Sequence, residues 1–198
     1  MRLEERVAEV SRRTAETDIR VRVDLDGTGV SDVKSGINFF DHTLSSFARH
    51  GVLDLTVNNN AQSSDEHHVV EDIAIVLGEA ADRALKDKRG IQRFGHAIVP
   101  MDEALAVVAI DVGGRGYFSG SIKFRGSKIG DMTSDLIIHF FETLAVNAKM
   151  TIHAKLLSGR NDHHKAEALF KALGVAFGNA VRIDPRRGGS IPSEKGVI

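Results

Sequence analysis

The residues best able to do chemistry form two copies of one pattern, His67-His68-Val69-Val70-Glu71 and His163-His164-Lys165-Ala166-Glu167. Each is a His-His-x-x-Glu, and the second copy follows the first by 96 residues at all three side chains. A lone histidine precedes each copy, His42 and His139, 97 residues apart. This is an internal repeat written in imidazole and carboxylate. A single exposed His-His pair on a helix is commonly idle, but six of the nine histidines fall in this constellation, and chance does not concentrate them so.

On a helix, residues four apart share a face and neighbours point about 100° apart. His67 and Glu71 can therefore hold one ion while His68 looks toward another, and His163 with Glu167 stands in the same relation to His164. Four residues beyond the second histidine stand Asp72 in one copy and Ala168 in the other, so the glutamate present in both is the better shared ligand. Each helix should serve two metals, and each metal should draw on two helices. Imidazole and carboxylate without thiolate suit Mn, Fe or Zn, and a six-coordinate ion so held keeps open positions for substrate.

The elements that must place these groups follow from periodicity. Arg2 to Arg13 is polar and charged; Ile19 to Leu25 alternates apolar and polar as a half-buried strand does, and Asp26-Gly27-Thr28-Gly29 turns the chain into a second short strand. Residues 36–51 predict a helix whose stripe is Phe40, Leu44 and Phe47. His42 lies off that stripe, with Asp41 beside it as a possible acceptor for its ring. Strand 52–58 and loop 59–64 lead to the first His-His helix, which runs to about Lys88. The second half repeats the order: strands over 97–100, 103–112 and 117–124, a helix over 131–149 with His139 off its Leu136, Phe140 and Leu144 stripe, a strand over 151–157, and the second His-His helix, capped by Asn161 or Asp162. This predicts an α+β protein built as a tandem repeat, residues 1–90 and 91–198, each a small mixed sheet with two helices on one face.

Composition narrows the classes. Net charge is −1 from 26 basic and 27 acidic residues, so no global field recruits nucleic acid or an anionic membrane. The absence of cysteine excludes disulfides and thiolate metal sites. No apolar run approaches a membrane span and the first residues lack a signal-peptide core, so a soluble cytoplasmic protein is expected. Basic residues gather locally: Arg115 among glycines, and the tail Asp184-Pro185-Arg186-Arg187-Gly188-Gly189-Ser190-Ile191-Pro192-Ser193-Glu194-Lys195-Gly196. By composition the tail reads as a frayed terminus; chemically it could grip an oxyanion.

Taken together, Thr14-Ala15-Glu16-Thr17, Phe39-Phe40-Asp41-His42, the two His-His-x-x-Glu runs, Arg93-Phe94-Gly95, Phe170-Lys171-Ala172 and Asp184-Pro185-Arg186-Arg187-Gly188-Gly189 resemble the imidazoleglycerol-phosphate dehydratase family. The resemblance spans nearly the whole chain, and its small departures, at Glu66 and Val69, touch no ligand. It implies a tandem ribosomal protein S5 domain 2-like fold and an octahedral 24-mer with two Mn²⁺ per active site between subunits. One ion would take His42, His68, His163 and Glu167, the other His67, Glu71, His139 and His164, so that Glu71 and Glu167 are catalytic through metal. Phosphate and substrate contacts fall on Arg93, Arg115, Lys171, Ser193 and Lys195. The implied reaction removes water from imidazole glycerol phosphate by way of a dimanganese-bound imidazolate. Glu16, the matched carboxylate that is not a ligand, is then the acid/base and a substrate contact. A dinuclear metallohydrolase acting on a phosphoester is the alternative, separable by product.

Overall fold

The computed structural model describes residues 5–61 and 65–198, so part of the expected loop over 59–64 lies outside the described residues. Strand β2 (Asp18–Asp24) buries Ile19, Val21 and Val23 as its alternation requires. Beside it lies β1 (Val7–Arg13), within the stretch whose polar sequence carried no strand signal. It is an edge strand that buries only Val10 and turns Glu9, Ser11, Arg12 and Arg13 outward. With β4 (Asp54–Asn59) and β3 (Ser31–Lys34) the order is β1-β2-β4-β3, antiparallel except for the parallel pair β3 with β4. The short strand expected after Gly29 thus exists, but it docks across β4 because β1 already holds the free edge of β2.

The second sheet repeats this topology. Strands β5 (Phe94–Met101), β6 (Ala104–Asp111), β10 (Thr151–Ser158) and β7 (Tyr117–Ser121) lie in the order β5-β6-β10-β7, again with one parallel pair, β7 with β10. A small hairpin pairs β8 (Lys128–Ile129) with β9 (Met132–Thr133), and its second strand occupies residues expected to begin a helix. Asp131 is consequently not helical: its carboxylate accepts from the backbone amides of Asn38 and Phe39, both at 2.8 Å, and so caps a helix of the other half.

The helices are α1 (Asn38–Gly51), α2 (Glu66–Leu85), α3 (Asp135–Asn147) and α4 (Asp162–Val181). Each sheet carries its own two on one face, α2 over β1 and β2, and α4 over β5 and β6. The closest helix pairs, however, cross between halves: α1 packs on α4 and α2 on α3. Phe40 of α1, Phe140 and Phe141 of α3 and Phe170 of α4 are fully buried and meet edge-on or stacked at ring separations of 5.2–6.5 Å. Each such side chain contributes about 1.5–3 kcal/mol by leaving water, so this shared layer joins the two sheets into one core.

Glycines set the close approach. A Cβ at Gly174 of α4 would lie 2.4 Å from the Phe47 carbonyl oxygen of α1, and one at Gly78 of α2 would lie 2.7 Å from the Asn147 Cβ and 2.8 Å from the Ala148 nitrogen at the end of α3. These two glycines are again 96 residues apart. Gly174→Ala should therefore destabilise the fold by about 1–3 kcal/mol through overpacking, read as a lower urea midpoint at unchanged slope. A midpoint equal to wild type would show that α1 and α4 can separate freely.

Candidate metal centre and anion cleft

The crossed helix pairs decide which ligands meet. Asp65 caps α2 by accepting from the His67 amide at 2.8 Å, and Asn161 caps α4 by accepting from the His163 amide at 2.9 Å. Asp162 is not the cap; it accepts from the Arg125 and Gly126 amides and from Lys165. Both His-His pairs thus sit in the first turn of a helix, and the first histidine of each points at the neighbouring helix from the other half.

Two clusters result. In the first, His42 of α1 meets His163 and Glu167 of α4; in the second, His139 of α3 meets His67 and Glu71 of α2. Within each cluster one ligand atom from every residue lies within 4.8 Å of the others. His42 Nε2 and Glu167 Oε1 share a 2.5 Å hydrogen bond. Burial of Glu167 works against its charge, but the His42 hydrogen bond and the Lys171 ammonium, 3.6 Å away, hold its carboxyl below the usual range. In the second cluster the His67 and His139 rings stack at 4.6 Å, and His139 Nε2 stands 3.6 Å from Glu71 Oε1. That nitrogen is buried and has no hydrogen-bond partner among the described residues, although a carboxylate faces it. Two imidazoles and one carboxylate converging, one of them orphaned in this way, fit a divalent cation of the N/O-liganded kind.

The second histidine of each pair belongs to neither cluster. His68 turns toward the β1–β2 turn, where Glu16 Oε2 lies 2.6 Å from its Nδ1, close but out of line for a hydrogen bond. His164 turns toward the β5–β6 turn and donates from Nδ1 to Glu103 Oε2 at 2.8 Å. That bond, with those from the Asn161 and Arg160 amides, lowers the Glu103 carboxyl to about 2 and raises the His164 imidazolium. Asp72 is not a ligand: it accepts from Arg12 at 2.7 Å and Thr17 at 2.5 Å, tying the Glu16 turn to α2. Asp41 likewise does not reach the His42 ring, because Ser35 donates to it from both its amide and its hydroxyl.

Of the predicted anion contacts, Arg93, Arg115, Ser193 and Lys195 line one cleft of about 910 Å³, together with Arg187. The tail is held rather than frayed: Gly90 donates to the Ser190 carbonyl at 2.9 Å and Arg93 Nη1 to the Pro192 carbonyl at 2.9 Å. Arg93 Nε also pairs with Asp111 at 2.8 Å. Lys171 lies apart from this cleft, beside the first cluster. The Arg93 amide donates to the Ala180 carbonyl, at the far end of α4 from His163. Seventeen residues of helix separate them, so cleft and cluster stand roughly 25 Å apart within one chain.

Sequence reasoning missed the capping role of Asp131 and the contact of Glu103 with His164. The helix repeat could have found Glu103, because Glu16 and Glu103 occupy matching hairpin turns. The hairpin lengths differ, however, which breaks the 96-residue spacing there.

A tandem α+β fold with paired His-His-Glu clusters and a basic cleft defines a metal-dependent enzyme acting on a small anionic substrate. The sequence model of imidazoleglycerol-phosphate dehydratase matches residues 35–177. The chain is 52% identical over 194 residues to the imidazoleglycerol-phosphate dehydratase of Roseiflexus sp. (strain RS-1), covering 98% of each chain, and 53% identical to that of Methanocella arvoryzae, covering 98% of this chain and all of that one. Among solved structures, that of the enzyme from Staphylococcus aureus superposes with a TM-score of 0.82 at 34% identity, covering 90% of this chain and 99% of the other. The enzyme from Pyrococcus furiosus does so with a TM-score of 0.79 at 34% identity, covering 96% and 100%. The chain belongs to the imidazoleglycerol-phosphate dehydratase family. It is a hydro-lyase of histidine biosynthesis that removes water from imidazole glycerol phosphate to give imidazole acetol phosphate.

If each cluster holds one ion, a chain carries two metal equivalents. His42→Ala and His139→Ala should each bring bound metal in the purified protein down toward one equivalent, as measured by elemental analysis. Two equivalents in both variants would show that these clusters are not where metal sits.

Proposed function

We propose that each three-residue cluster is completed by a histidine from a neighbouring copy, so that the dehydratase works only as an assembly. The observation that carries this reading is the exclusion of His68 and His164 from both clusters of their own chain. One ion would be held by His42, His163, Glu167 and His68 of a neighbouring copy, the other by His67, Glu71, His139 and His164 of a neighbouring copy. Each ion keeps positions open for substrate, and manganese suits a set without thiolate. Separation of cleft from cluster by roughly 25 Å supports the same conclusion, because one small phosphorylated substrate cannot span it within a chain. A closed octahedral 24-mer satisfies all such contacts by symmetry. Residues 1–90 and 91–198 are the two repeated units of each subunit. A cytoplasmic setting accords with the absence, among the described residues, of any helix long and apolar enough to cross a membrane.

The reaction must take a proton from carbon and release hydroxide from its neighbour. Ions held by these histidines and glutamates would supply Lewis acidity to the reacting part of the substrate. Arg93, Arg115, Ser193 and Lys195 hold the phosphate and so fix the carbon chain, with Lys171 charging the approach beside Glu167. Glu16 removes the carbon-bound proton, hydroxide leaves from the neighbouring carbon to give an enol, and Glu16 returns a proton to the carbon beside the ring as the enol hydroxyl loses its own, which completes the water released. It is suited to this because it is half-exposed, accepts no hydrogen bond from a backbone amide among the described residues, and is carried with His68 toward the neighbouring centre. The turn that carries it is fixed by Thr17 and Arg12 on Asp72.

Glu16→Gln should cut turnover by about 10²–10⁴ while metal content, assembly size and substrate affinity stay near wild type. Turnover within a few-fold of wild type would remove Glu16 from the chemistry. Arg115→Ala and Lys195→Ala should instead raise KM, each lost contact to phosphate costing about 1.5–3 kcal/mol. Unchanged KM in both would detach the cleft from the substrate. Stripping metal with chelator should dissociate the assembly, as followed by light scattering; an intact particle with empty sites would refute ligands shared between copies.

A further inference from the structure

The β5–β6 turn carries a carboxylate that the reaction as described does not use. Glu103 is about three-quarters buried, and both of its oxygens are engaged. Oε1 accepts from the backbone amides of Arg160 at 3.0 Å and Asn161 at 2.7 Å, the residues that lead into α4. Oε2 accepts from Nδ1 of His164. Asp102, next to it, is mostly exposed and its carboxylate is 3.7 Å from His164 Nε2, beyond hydrogen-bond reach. The contrast with the matching turn of the first half is sharp: Glu16 is more than half exposed and makes no aligned bond to His68.

We propose that Glu103 is a positioning residue that fixes His164 as the Nδ1–H tautomer and aims its Nε2 lone pair outward, toward the cluster of a neighbouring copy. The inference rests on the reading of His164 as the fourth ligand of the His67, Glu71 and His139 cluster. A neutral imidazole offers one lone pair, and the hydrogen bond made by the other nitrogen decides which it is. A carboxylate can only accept, so contact at Nδ1 leaves Nε2 bare for an ion, and a carboxylate behind a ligating histidine also makes the ring a stronger donor. Because Oε1 is pinned by two amides that belong to the start of α4, the same side chain sets the helix and the ring in one register. The two halves have thus specialised equivalent turns: one carboxylate is locked onto its histidine, the other is left loose enough to move a proton.

The pinning also supplies the test. In Glu103→Gln the two backbone amides require an oxygen where Oε1 stands, which forces the side-chain NH₂ to face His164. Nδ1 must then accept, the proton moves to Nε2, and the ligand lone pair is lost although shape and helix cap are kept. Metal affinity, measured by competition with a chromogenic chelator, should fall about 10–100-fold in Glu103→Gln. The thermal midpoint of the metal-free protein should stay near wild type. The visible absorption of the Co²⁺-loaded protein should change with it, as a purely structural role would not require. In a His164→Ala background, which loses the same affinity, adding Glu103→Gln should cost nothing more.

Wild-type affinity in Glu103→Gln with reduced affinity in His164→Ala would overturn the role of Glu103 while leaving His164 a ligand. Wild-type affinity in His164→Ala would instead remove the ligand reading beneath it. Additive losses in the double variant would overturn the coupling through His164.

Discussion

Everything at the two candidate metal clusters depends on the crossed packing of α1 on α4 and α2 on α3. The second half of a duplicated chain could in principle fold its helices onto each other and leave each repeat self-contained. Here the buried rings of Phe40, Phe140 and Phe170 interlock between halves, and Gly78 and Gly174 let the backbones close to a distance no side chain would permit. The lone histidine of one repeat is thereby delivered to the His-x-x-x-Glu face of the other. Polar contacts reinforce the exchange: Asp131 caps α1, and Glu66 at the start of α2 accepts from the Thr133 amide just before α3.

The same packing divides labour within each His-His pair. Adjacent residues on a helix diverge, so once the first histidine faces the partner helix the second must face elsewhere. It finds the hairpin turn of its own sheet, where a carboxylate waits in both halves. Different anchoring of those two carboxylates is the main chemical asymmetry between the repeats. In the first half the anchor is Asp72, which holds the turn through Thr17 and leaves Glu16 unbound by it; in the second, where Ala168 stands in place of Asp72, the glutamate is its own anchor.

Much of this was legible in the sequence because it is carried by periodicity. The helices, the inner strands and the grouping of His67 with Glu71 and of His163 with Glu167 follow from spacings of two and four residues. What was hidden is what spacing does not encode. Strand β1 lies at a sheet edge and buries one residue, so no alternation betrays it. Asp131 reads as the start of a helix by type, yet serves as the cap of one far away in sequence. Pairing of Glu103 with His164 joins turn to helix over 61 residues, and no local pattern announces such a contact.

The separation of the basic cleft from the first cluster along α4 has a genetic consequence. If a working centre borrows its phosphate grip from one chain and its ligands from another, damage to the two is not additive across a mixed population. On that reading a chain lacking Arg115 and a chain lacking His42 would each impair every centre when alone, yet co-assembled they would leave a fraction of centres built wholly from sound parts. Two impaired alleles would then complement each other, and a single defective allele would poison centres in proportion to the number of chains that each one spans.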